Sequence, residues 1–130
     1  LRGVSSDPVL EGLTTARVDL PSGTMFIEPT RAVVAVDIKT GGDTSPAAGL
    51  KANLAAARDL PRQLRLRGLG GQITLDLAPM GKKDRRNFEA ALRAAFRRDM
   101  IETALAGFTP LGHYELQRKR DRAPLTGHMT

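Results

Sequence analysis

Apolar and polar positions alternate along Ala16-Arg17-Val18-Asp19-Leu20, Pro21-Ser22-Gly23 turns the chain, and Met25-Phe26-Ile27 returns before Pro29, which predicts a β-hairpin. The run Ala32-Val33-Val34-Ala35-Val36-Asp37-Ile38 is almost continuously small or β-branched. Such a run predicts a central strand covered on both faces, and Lys39-Thr40-Gly41-Gly42 marks its end. From Pro46 to Leu66 the period lengthens: Leu50, Leu54, Ala57, Pro61 and Leu64 recur every three or four residues, as on one stripe of a helix. Pro61 removes a backbone donor within that stripe and predicts a kink or a split. Gly68, Gly70 and Gly71 stop the helix, and Ile73-Thr74-Leu75-Asp76-Leu77 reads as a second buried strand.

Phe88, Leu92, Ala95 and Phe96 then give the apolar face of a second helix, with Arg85, Arg86, Glu89 and Arg93 on much of the rest. Two more strands are expected, Ile101 to Leu105 and Leu111 to Leu116, joined by a turn around Gly107-Phe108-Thr109-Pro110. Asp7-Pro8 suggests a short opening helix that Gly12 ends, and the tail from Gln117 is expected to fray. The order predicts an α/β fold, a mixed β-sheet with two main helices, and the 130 residues suit a single core. The strands near 32–38 and 73–77 should be parallel, joined by a right-handed crossover.

Composition narrows the chemistry. Twenty Lys and Arg against fourteen Asp and Glu give a net charge of +6, which favours polyanions such as nucleic acid. With no cysteine and only His113 and His128, a thiolate or histidine-rich metal site is not expected, and no zinc. No stretch approaches the roughly 20 apolar residues of a membrane span, so the expectation is a cytoplasmic protein with no membrane partner. The chain starts at Leu1 rather than methionine, as a piece of a longer protein would.

Within the strand-helix-strand unit, Asp37 and Asp76 both fall near the carboxyl ends of their strands, the edge where open α/β sheets bind ligands. Two carboxylates at one rim can share a magnesium or manganese ion, which takes oxygen ligands and keeps several waters. Such an ion would activate a water for in-line attack on a phosphodiester. The same placement also suits carboxylates that merely end strands or pair with arginines. Asp19, Asp43 and Glu28 read as turn or surface groups, and His113 as a packed or hydrogen-bonded strand residue. Arg58, Arg62 and Arg65 recur at helical spacing, and Arg118-Lys119-Arg120 forms a second basic cluster. Either cluster suits an RNA backbone or a solvated face. With five aromatic residues, base stacking is limited to Phe108 and Tyr114.

Longer strings are more specific. Val18-Asp19-Leu20-Pro21-Ser22-Gly23, Ile27-Glu28-Pro29-Thr30 and Val36-Asp37-Ile38-Lys39-Thr40-Gly41-Gly42 occur in that order. They are followed by Asn53-Leu54-Ala55-Ala56-Ala57, Arg62-Gln63-Leu64-Arg65-Leu66-Arg67-Gly68-Leu69-Gly70-Gly71 and Ile73 to Met80. Gly107-Phe108-Thr109-Pro110-Leu111-Gly112 and Glu115-Leu116-Gln117-Arg118-Lys119-Arg120 close the series. Together these strings resemble the DNase I-like catalytic subdomain of the ribonuclease E/G family, over residues 16–125, with a lead-in at 1–15 and a tail at 126–130.

That resemblance implies a magnesium-dependent endoribonuclease acting on single-stranded RNA, leaving a 5′ phosphate and a 3′ hydroxyl. It implies that Asp37 and Asp76 are the catalytic, metal-holding aspartates, and that the full-length protein is a homo-oligomer. The family's RNA-binding module, 5′-end sensor and cysteine zinc link lie outside this segment, so weak RNA capture and no zinc-linked assembly are expected of it alone. Three positions depart from the family pattern: Lys39 replaces an asparagine, Ala55 a glutamate, and Pro79 an acid before Met80. Lys39 either competes with the metal or contacts the scissile phosphate. The alternative reading is a catalytically weakened RNA-binding or scaffold domain, and a more distant one is a basic protein-interaction module.

Overall fold

The computed structural model describes residues 15–120; the helix expected at Asp7-Pro8 and the tail beyond Arg120 fall outside that range, whereas Gln117 and Arg118, expected to open a fraying tail, end a strand. Strands β1 (Arg17–Leu20) and β2 (Gly23–Pro29) form the expected hairpin, with Leu20 paired to Gly23 across a two-residue turn. β2 continues antiparallel to β3 (Val34–Lys39). Helix α1 (Pro46–Arg67) then crosses to β4 (Gly71–Asp76), which lies beside β3 and parallel to it, as expected of this unit. A single 3-10 turn (Lys82–Asp84) leads into α2 (Arg85–Arg97), and β5 (Thr103–Phe108) and β6 (Tyr114–Arg118) finish the fold. The sheet order is β1-β2-β3-β4-β6-β5, a mixed six-stranded α/β arrangement.

Both helices pack on the same side of this sheet. Inward residues Met25, Ile27, Val36, Ile38, Ile73, Leu75 and Leu116 meet Leu60, Leu64, Phe88 and Leu92 in one core. The opposite face carries Ala35, Asp37, Lys39, Gln72 and Asp76, all partly or fully exposed. The expectation that the strand near residues 32–38 is covered on both faces is therefore corrected. Ala35 is small enough to read as buried, but β3 is a half-buried strand whose alternate residues see solvent.

Helix α1 starts where Ser45 Oγ accepts a hydrogen bond from Ala48 N–H, with Pro46 in the first turn. It ends at Gly68, whose φ of 65° suits glycine and closes the last turn. Pro61 lies inside the helix and is buried, yet the helix continues through it and does not split. The buried stripe also differs from the one expected. Gly49, Ala52, Ala56 and Ala57 face the sheet, and Leu50 and Leu54 sit at its margins. Small residues let the helix axis approach the strands closely, a demand that hydrophobicity alone does not reveal.

The last two strands lie two to three residues later than the pattern suggested, because the connection occupies residues 109–113. This shift turns Tyr114, Leu116 and Arg118 inward. Tyr114 is therefore a core residue and not a stacking platform: its ring packs edge-on against Phe88 and Phe108, and its hydroxyl donates to Glu89. Arg118 is likewise enclosed, so its assignment to an RNA-binding cluster is corrected. Its guanidinium donates to the buried Asp99 carboxylate and lies 5.9 Å from the centre of the Phe96 ring.

Candidate active site

Parallel pairing sets Asp37 directly opposite Asp76 at the carboxyl ends of β3 and β4. Because Val36, Ile38 and Leu75 point into the core, the alternation of each strand sends both carboxylates to the open face. Phe26 of β2 lies across from Asp37 and His113 approaches Asp76 from the far side, so the four form a row across the sheet. Asp37 and Asp76 border a cavity of about 300 Å³ that Lys39, Thr40, Gly41 and Pro79 also line.

Both acids have one basic neighbour. Lys39 Nζ stands 3.2 Å from Asp37 Oδ2, with the two side chains 61% and 39% exposed. His113 Nε2 is 3.6 Å from Asp76 Oδ1, beyond hydrogen-bond length, and the pair is 39% and 61% exposed. His113 thus differs from the sequence reading of a packed strand residue: it precedes β6 and faces the carboxylate rim.

The stretch after Asp76 is held from below. Asn53 on α1 is fully buried; its side-chain amide donates to the Ala78 carbonyl and accepts from Ala78 N–H, both at 2.9 Å. It also reaches Met80 Sδ at 3.4 Å. One turn earlier Gly49 lies against Pro79, where an added Cβ would stand 1.6 Å from the carbonyl oxygen. A helix that presents glycine and asparagine at this spacing can dock flush against the strand end and fix where it leads.

Oxygen donors, partial exposure and room for solvent are the features a magnesium ion demands, since it binds through one or two carboxylates and retains waters. Among the described residues no group of three or more acidic, histidine or cysteine side chains could form a closed all-protein cage. A hydrated, two-carboxylate ion fits that donor set.

The sequence from residue 4 to residue 121 matches the profile of the Ribonuclease E/G family. This chain belongs to the ribonuclease E/G family. It is 39% identical over 116 residues to a protein named Ribonuclease G from Salmonella typhimurium (strain SL1344), covering 82% of this chain and 23% of that one. Against Ribonuclease E of Nostoc sp. the identity is 39% over 110 residues, 80% of this chain and 16% of the relative. A chloroplastic Ribonuclease E/G-like protein of Arabidopsis thaliana is 34% identical over 125 residues, 90% and 12% of the respective chains. The chain therefore spans less than a quarter of the length of these curated relatives.

The basic residues of this ribonuclease E/G family chain divide into separate places. Lys39 is at the carboxylate rim. Lys82, Lys83, Arg85 and Arg86 collect where α2 begins, and the Arg85 guanidinium lies 5.0 Å from the centre of the Phe108 ring. Phe108 packs against Arg85, Phe88 and Tyr114 and remains partly exposed where it lines this basic pocket. Arg58, Arg62 and Arg65 line a groove on the helical layer. Lys119 and Arg120 are exposed after β6, unlike Arg118. Among the residues read as turn groups, Asp43 accepts from Ser45 N–H, which holds its carboxyl below the usual range. Asp19 pairs with Arg17, and Glu28 is exposed.

Asn53 and Gly49 carry no chemistry of their own, and sequence reasoning assigned them no role. An asparagine among the buried small residues of an apolar stripe was the available signal.

Proposed function

We propose that this chain is the catalytic subdomain of an endoribonuclease that hydrolyses phosphodiester bonds of single-stranded RNA, with Asp37 and Asp76 holding magnesium or manganese. The observation that carries the reading is the direct opposition of the two aspartates on adjacent parallel strands, in a chain whose relatives are named ribonucleases. A magnesium or manganese ion held there would supply an activated water and offset charge on the phosphate. Asp37 and Asp76 would hold the ion, and their partial exposure would leave it open to solvent and substrate. The bond between phosphorus and the departing 3′ oxygen breaks as water adds, leaving a 5′ phosphate and a 3′ hydroxyl.

The chain's own cations take up the rest of the work. Lys39, 3.2 Å from Asp37, would compete with the metal for that carboxylate or, if it does not, meet the scissile phosphate, and Lys82, Lys83, Arg85 and Arg86 extend positive charge from the same end of β4. In the whole protein we place this subdomain in a cytoplasmic, homo-oligomeric RNA-processing enzyme that requires flanking regions for full RNA capture.

Asp37→Asn is the deciding variant: it should abolish magnesium-dependent cleavage of a single-stranded RNA while leaving the melting temperature and RNA affinity close to wild type. Cleavage that survives the substitution refutes the assignment. A second reading, a weakened RNA-binding domain, draws on the Lys39 ammonium 3.2 Å from Asp37. Millimolar magnesium that shifts neither carboxylate resonance by NMR, in a chain that still binds RNA, selects that second reading.

A further inference from the structure

We propose that the groove between α1 and α2 is a second contact for the RNA backbone, on the helical layer and across the sheet from the carboxylate face. The inference rests on the RNA reading above but not on the metal site. Arg58, Arg62 and Arg65 recur at four and three residues along α1, and Arg98 follows the end of α2. All four line one groove of about 470 Å³. The uninterrupted helix through Pro61 keeps the three α1 arginines in register, and they span about 10 Å at 1.5 Å per residue.

The charge of this groove is largely uncompensated. Asp99 is the acid in its lining, and its carboxylate is shared between Arg65 at 3.2 Å and the enclosed Arg118. Arg118 thus already balances Asp99 from inside the core, and Arg65 remains in excess. Arg62 faces Asp59 at 3.4 Å in an exposed pair of low strength. Arg58 and Arg98 have no acidic partner among the described residues.

The floor decides the class of ligand. Its apolar lining is Pro61, Ala91, Ala94 and Ala95, all small side chains, and no aromatic side chain lines it. A protein partner would need a deep apolar pocket for an anchoring side chain, and a base would need a ring to stack on. Guanidinium forks among small apolar side chains instead match phosphate oxygens, which they can hold in bidentate fashion. Recognition there is expected to be independent of sequence and steeply dependent on salt.

The test uses the 130-residue chain, a fluorescein-labelled single-stranded RNA of 16 nucleotides, and EDTA to suppress cleavage. Arg58→Gln with Arg98→Gln removes two charges without breaking an ion pair, and thermal melting should be unchanged. Anisotropy should show affinity falling about tenfold at low salt, and the slope of log K against log salt falling by about 1.4, at roughly 0.7 per phosphate contact on a single strand. Arg31→Gln, an exposed arginine outside the groove, should leave both nearly unchanged. Unchanged affinity and slope in the double variant overturn the groove, as does a wild-type chain that fails to bind this RNA. Capture of an aspartate-rich peptide in preference to RNA also overturns it, in favour of a protein partner. Loss of cleavage in Asp37→Asn alongside an unaffected Arg58→Gln/Arg98→Gln variant sinks the groove and leaves the proposed function standing; the opposite pattern does the reverse.

Discussion

Asn53 and Ala78 exchange two hydrogen bonds of 2.9 Å, tying the middle of α1 to the backbone two residues past Asp76. The pair is buried, so neither Ala78 group has water as an alternative partner. Asn53→Ala is expected to cost about 3 kcal/mol, since two buried backbone groups lose their partners. Urea denaturation measures this loss. The variant should also cleave RNA more slowly under conditions where it is still folded, because the strand end that carries Asp76 is no longer fixed.

Gly49→Ala tests the same junction by crowding. The added methyl would stand 1.6 Å from Pro79 O, so α1 must move off the strand end, at a cost of about 3 kcal/mol or more. Gly41→Ala, with nothing within 4 Å of its added Cβ, is the matched control and should be near neutral. Equal denaturation midpoints for the two variants would refute the close-approach argument.

Lys39→Asn removes the ammonium from beside Asp37. In this exposed setting the pair is worth roughly 0.5–1 kcal/mol, so magnesium should bind about two- to fivefold more tightly. Isothermal titration gives the value. Unchanged or weaker binding would show that the lysine does not compete for the carboxylate, and would favour its role at the phosphate.

Burial, with the nearby Glu89 carboxylate, pushes the Tyr114 phenol above its ordinary value of 10.0. Above pH 10 the unfolded chain gives up this proton while the folded chain keeps it, so the unfolded state binds fewer protons and stability falls as pH rises. The Tyr114 contribution is fully present below pH 10. Urea midpoints should therefore decline on the alkaline side in wild type, and more shallowly in Tyr114→Phe. At neutral pH that variant should be about 1–2 kcal/mol less stable, having left Glu89 without its donor.

Arg118→Met leaves Asp99 in the interior with its inner partner gone, and Arg65 alone on the outer side. The expected loss is about 3–5 kcal/mol, read by denaturation. RNA affinity of the folded variant should fall modestly, because Asp99, released from this guanidinium, then offsets the Arg65 charge in the groove.

Much of the scaffold could be read from the chain. Alternation located β1 and β2, β-branched runs located β3 and β4, and the Phe88-Leu92-Phe96 period located α2. The two aspartates were visible because a lone carboxylate at the end of each apolar run stands out. Which face they took was not: Ala35 looks apolar in sequence whether it meets a helix or water. The α1 stripe was misplaced because close packing chose alanine and glycine over Leu50 and Leu54. Arg118 was misjudged as one of a basic run, although its alternation with Tyr114 and Leu116 marked it as inward. Asn53 gained its meaning only from Ala78, 25 residues away.

The open face of the sheet also bears on how faithfully the chain assembles. A one-residue slip of β3 would turn Asp37 under the helices and push Val36 and Ile38 into solvent. Burying an unpaired carboxylate costs far more than such a slip could recover. Misthreaded chains are thereby unstable chains, and a molecule that reaches its stable state has, by the same selection of register, already brought Asp37 and Asp76 side by side.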